Sequence, residues 1–74
     1  MVGPVKAAQL RGARAMLQWT SVELAKRSGI HRRTIRKIEM AKAEPQRKTL
    51  AIIVSALTAG GVEFIGGGVR LARD

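Results

Sequence analysis

Residues 21–39 read SVELAKRSGIHRRTIRKIE, and their spacing describes two short helices joined by a tight turn. The first opens on a capping box. In Thr20-Ser21-Val22-Glu23 the threonine hydroxyl can accept from the amide of residue 23, and Glu23 can reach back to the amide of residue 20. This helix is expected to run to about Ser28 and to bury Val22, Leu24 and Ala25. Ala25 is small where the two helices cross closely. Gly29 supplies a left-handed stop that any side chain would resist, and Ile30 anchors the turn. The second helix is expected over residues 32–40, with Ile35 and Ile38 three apart on a stripe facing the core. Arg32, Arg33, Arg36 and Lys37 take the complementary face. Glu39, the one acid of that helix, points toward the apolar side. A solvated helix mixes signs on its exposed face; this one does not.

Outward from this pair, the chain keeps its helical period. Residues 5–18 place Leu10, Ala13 and Leu17 on one stripe, with Arg11 and Ala15 to the other side. Pro4 just ahead of them suits a helix start, while Gly12 weakens that helix by about 1 kcal/mol. On the far side, residues 41–44 form a loop and Pro45 is expected at or near the first turn of a fourth helix. Leu50, Ile53, Val54 and Leu57 give that helix its apolar face, and Gly60-Gly61 ends it. Residues 62–65 and 69–72 then flank Gly66-Gly67-Gly68, the pattern of two short strands and a glycine turn. A lone hairpin is marginal in water and has to pack on the helices or on another chain.

Composition narrows the function classes. The 74 residues carry 14 Lys+Arg against 5 Asp+Glu, a formal charge of +9. Nine of the basic side chains fall within residues 26–48, where the only acids are Glu39 and Glu44. Charge of this sign on a small domain points to a polyanion, nucleic acid first. Hydrophobic residues reach 46%, too many for a disordered basic tail. With no cysteine and one histidine, His31, neither disulfides nor a metal site is expected. The scattered acids offer no catalytic constellation, and the glycine runs join no strand to a lysine-bearing helix. No enzymatic activity, cofactor or metal is therefore expected. No apolar run approaches the roughly 18 residues of a membrane span, and residues 1–6 lack a secretory apolar segment. A cytoplasmic, nucleoid-associated location is the expectation.

Residues 10–57 resemble the Cro/C1-type (XRE-like) helix-turn-helix family of bacterial and phage regulators. The matching segments are LRGARAMLQWT, ELAKRSGI, TIRKIE and the later Pro45-x-x-x-Thr49-Leu50. The resemblance implies a mainly α fold of four to five short helices with a lambda-repressor-like helix-turn-helix. The glycine-turned tail adds a short β-strand or hairpin. Residues 1–74 would form a single DNA-binding domain, with a helical core at 5–60 and a β tail at 61–74. By the same resemblance, residues 32–40 are the recognition helix, and Arg14 pairs with Glu39 in a structural salt bridge. Three positions depart from the family pattern. Ser21 stands where glutamine is common, and Met40-Ala41 replaces the usual Asn-Gly or Arg-Gly, so the recognition helix is expected to run on or fray. His31 replaces a capping serine or threonine, as a cap or a phosphate contact.

The implied function is a sequence-specific transcription regulator that binds a palindromic operator as a homodimer. Its relatives include autoregulating controllers of phages or mobile elements. The competing reading is an antitoxin that binds a toxin protein and represses its own operon. Arg32, Arg33, Arg36 and Lys37 are the candidates for base contact, some of them meeting phosphate instead. Thr20, Ser21, His31, Gln46, Arg47 and Lys48 are the candidates for phosphate, most of them at helix starts. Phe64, Ile65, Val69 and Leu71 are the candidate dimer interface.

Overall fold

The computed structural model describes residues 5–72. It contains α1 (Ala7–Met16), α2 (Ser21–Ser28), α3 (Arg32–Glu39), α4 (Arg47–Gly60), β1 (Val62–Ile65) and β2 (Gly68–Leu71). The fold is mainly α, with four helices and a two-stranded antiparallel hairpin. Pro4 and Arg73 lie outside the described residues.

Local chemistry sets each helix boundary. α1 is shorter than the periodic stretch: Lys6 is its N-cap and Leu17 its C-cap. Thr20 caps α2 by accepting from the Glu23 N–H at 3.1 Å. The other half of the capping box is absent, because the Glu23 carboxylate instead accepts from Arg27 Nε at 2.7 Å. Val22 also departs from expectation, being 46% exposed while Leu24 is fully buried. Two residues apart on a helix point to nearly opposite sides, so only one of them can face the core. Gly29 turns the chain with φ 74° and ψ 10°. Beyond it the Ile30 amide donates to Ser28 Oγ at 3.2 Å.

The end of α3 is closed and does not fray. Met40 is the C-cap and Ala41 takes a left-handed φ of 57°. The Ala41 amide donates to the Ile38 carbonyl at 3.0 Å and the Lys42 amide to the Lys37 carbonyl at 2.9 Å. This is the paired hydrogen-bond pattern that usually has glycine at its left-handed position. Pro45 stands two residues ahead of α4, outside its first turn, and Gln46 is the N-cap. At the other end Gly60 passes close under Trp19 and Leu17. A Cβ there would lie 2.9 Å from Leu17 Cδ1 and would overlap the indole ring.

Leu10, Ala13, Leu24, Ile35, Ile38, Ile53, Leu57 and Val62 form the core. The hairpin belongs to it: Val62 is fully buried, and Phe64 and Val69, paired across the strands, pack against the same cluster. Gln9, buried in α1, ties the hairpin down. Its Nε2 donates to the carbonyls of Ile65 and Gly68, each at 3.0 Å, and its Oε1 accepts from the Lys6 amide at 2.8 Å.

α3 is held from α1 by charge. Arg14 Nε and Nη2 each donate to the Glu39 carboxylate at 3.0 Å, and Arg14 Nη1 donates to the Trp19 carbonyl at 3.0 Å. Arg11 Nη1 donates to the Glu39 backbone carbonyl. The Glu39 side chain is 6% exposed and that of Arg14 25%.

Removing one partner of such a pair strands the other. Glu39→Ala is expected to cost about 3 kcal/mol, the low end for a buried pair because Arg14 keeps some solvent. For a domain this small that lowers Tm by more than about 10 °C. Replacing both residues with methionine should recover more than half of the loss in thermal unfolding followed by circular dichroism. A double variant no more stable than either single one would disprove the account. Ala41→Gly should raise stability by about 0.5–1 kcal/mol, since glycine accepts the left-handed backbone without strain. Chemical denaturation would read this as a higher midpoint at unchanged m.

Candidate nucleic-acid interface

The turn at Gly29 and the two isoleucines of α3 decide which way that helix faces. Ile35 and Ile38 are buried against the core, as is Glu39. Arg32, Arg33, Thr34, Arg36 and Lys37 are all exposed. Arg33 and Lys37, one turn apart, lie opposite the isoleucines. Among the described residues the ion pairs are Arg14–Glu39, Arg27–Glu23 and Arg70–Glu63. None of the four cations on α3 is neutralised, so the helix presents a face of one sign. The same four side chains, with Met40 and Lys42, line a shallow concave surface.

His31 begins this helix. Its Nδ1 accepts from the Arg33 amide at 3.0 Å, so the imidazole fills the capping role that its position calls for. That bond uses the Nδ1 lone pair and places the proton of the neutral ring on Nε2. The ring is exposed, and Nε2–H remains available as a donor to an outside group.

The two candidate anion seats at helix starts differ. Thr20 and Ser21 open α2, but that helix has Glu23 in its first turn. α4 has no acid in its first turn, and its N-cap Gln46 makes no side-chain cap bond. Arg47 and Lys48 there are exposed. Open amides, the helix dipole and two cations make this the stronger place for a phosphate. Lys48 shares a concave surface with Arg27 and Ser28 at the end of α2.

The four hairpin candidates separate into two pairs. Phe64 and Val69 pack against the protein's own core, while Ile65 is 37% and Leu71 53% exposed. Met16, 42% exposed, lines a surface with Leu71, Glu63 and Arg70.

Sequence reasoning left several working residues without a role. Gln9 is a polar residue on the core side of α1, four before Ala13, and that position was the available signal. Arg11, three before Arg14, reaches the same end of α3. Arg27 stacks on Trp19 with its guanidinium carbon 4.2 Å from the ring centroid. No pairwise spacing signals that contact, because Trp19 sits in the loop ahead of α2.

Among the described residues no group of His, Cys, Asp or Glu could hold a metal ion, and no helix is long and apolar enough to cross a membrane. No curated protein matches the chain. Residues 10–60 match the family model described as helix-turn-helix, of the Cro/C1 type. The match runs from Leu10 in α1 through the last residue of α4, and it includes α2, the Gly29 turn and the cationic α3. With more than half of its length matched, the chain belongs to the Cro/C1-type helix-turn-helix family, whose broad role is that of a DNA-binding transcription regulator.

Proposed function

We propose that the protein is a sequence-specific regulator that binds a palindromic operator as a homodimer, with α3 in the major groove. The observation that carries this reading is the face of α3: four exposed cations, none of them paired with an acid among the described residues. Arg33 and Lys37 at the centre of that face suit base edges, and arginine can fork onto guanine O6 and N7. Arg32 and Arg36 flank them and share the work of base and phosphate contact. His31 Nε2, the start of α2 and, above all, Arg47 and Lys48 at the start of α4 suit phosphate.

Dimer formation is proposed through the hairpin. Phe64 and Val69 serve the protein's own core, so the contact is proposed through exposed Leu71 at the open end of the hairpin, with Met16 beside it, and through exposed Ile65 next to the turn. Two-fold pairing there would set two recognition helices about 34 Å apart, one turn of DNA. Removing residues 62–74 would open the core at Val62, so a point change is the cleaner probe.

Binding should fall steeply with salt. Six phosphate contacts per dimer give a slope of about −5 in a plot of log affinity against log salt. Titrations with a selected duplex and a random one at several salt concentrations test this, and equal affinity for both at every salt would sink the proposal. Arg33→Ala should cost about 1–3 kcal/mol on the selected site and relax preference at one base pair. Lys48→Ala should weaken all duplexes alike and reduce the slope by about one unit per bound copy. Reversed behaviour of the two variants would mean that the faces are assigned wrongly.

Leu71→Glu should leave the monomer folded, because Leu71 is more than half exposed, and should place like charges together across the two-fold axis. Sedimentation at micromolar concentration should show a shift from dimer to monomer. A variant that still sediments as a dimer removes the hairpin from the interface.

A further inference from the structure

Met40 is 55% exposed at the end of α3. It falls three residues after Lys37, four after Arg36 and seven after Arg33, so it continues their stripe along the helix. Its backbone is fixed, with φ −91° and ψ 6° at the C-cap and the Ala41 and Lys42 amides bonded back into the helix. It is the one apolar side chain on the concave surface otherwise lined by Arg32, Arg33, Arg36, Lys37 and Lys42. The core does not use it: Ile35 and Ile38 fill that side of α3.

From this placement we propose that Met40 is a specificity-determining residue that reads the C5-methyl group of a pyrimidine, thymine in unmodified DNA. The inference rests on the reading that α3 enters the major groove. Within that groove the thymine methyl is the distinctive apolar group among the base edges, which otherwise present donors and acceptors. An eight-residue helix is about 12 Å long, close to the roughly 12 Å width of the groove. Both ends of α3 can therefore stay over base edges, the arginines over guanine and Met40 over a neighbouring pyrimidine. Methionine suits the task, since its unbranched, polarisable chain adapts to a small apolar target.

The test uses the full chain. Sites are first selected from a randomised duplex library, and each thymine of the selected site is then replaced singly by deoxyuridine, which removes only the methyl group. At one thymine position of the half-site, a single replacement should weaken the wild-type protein about fourfold, the value of one buried methyl-sized group. The same replacement should leave the affinity of Met40→Ala unchanged, while Met40→Leu should keep the sensitivity. At that position, cytosine compared with 5-methylcytosine tells whether the methyl is recognised independently of the base that bears it. Preference for the methylated form by wild type, lost in Met40→Ala, supports methyl recognition. Selected sites at which every deoxyuridine is neutral, or equally harmful to wild type and Met40→Ala, overturn the role of Met40 and leave the DNA reading standing. Failure to enrich any site overturns both. Circular dichroism and melting of the variants, with an exposed residue changed, should match wild type.

Discussion

The Glu39 carboxylate, almost wholly removed from solvent and gripped by Arg14, is the contact on which the geometry of α3 depends. α3 is two turns long, too short to persist by its own hydrogen bonds, and its outer surface carries four cations that repel one another. Two isoleucines hold its inner side. The bond from Arg14 fixes its far end, and Arg11 adds a second cation at the same end, where the helix dipole favours positive charge. Because Arg14 also binds the Trp19 carbonyl, one guanidinium ties α1, the loop before α2 and the end of α3 together. Trp19 in turn lies against Gly60 and under Arg27. The frame that aims α3 is therefore a set of specific contacts around a core of eight buried apolar side chains.

Charge is divided by task. The three acids in ion pairs, Glu23, Glu39 and Glu63, each neutralise a cation away from the outer face of α3. The cations left over are concentrated on that face and at the start of α4. Free in solution, such a surface gathers small anions. That makes the isolated domain and its complex respond to ionic strength in opposite senses: screening relieves self-repulsion in the first and weakens attraction in the second.

Much of this is legible in the sequence alone. Leu24, Gly29, Ile35 and Ile38 mark their elements because burial and a left-handed turn admit few residue types at those offsets. Thr20 is legible as a cap for the same kind of reason. Val22 misleads because an apolar residue signals burial only through its phase, and Leu24 takes that phase. The closed end of α3 is not legible, since alanine is an unusual occupant of a left-handed position and its cost is met by the two hydrogen bonds beyond it. The inward half of the hairpin, Phe64 and Val69, is likewise hidden: alternation along a four-residue strand says which side chains share a face and not what that face meets. The proposed base and phosphate contacts rest on exposure and charge, which the sequence supplies only once the buried side of α3 is known.

The amide of Gln9 accepts from one end of α1 and donates to both sides of the hairpin turn. A small domain of this kind would ordinarily shed its terminal strands first, as a fraying end independent of the rest. Here unzipping the strands from the turn also breaks both hydrogen bonds that the Gln9 carboxamide donates to them. Hydrogen-exchange protection of the hairpin is therefore expected to follow that of α1, and with α1 go Arg11 and Arg14. By these contacts the tail is joined through α1 to the residues that hold the end of α3, so a disturbance of the strands has a path to the helix that faces outward.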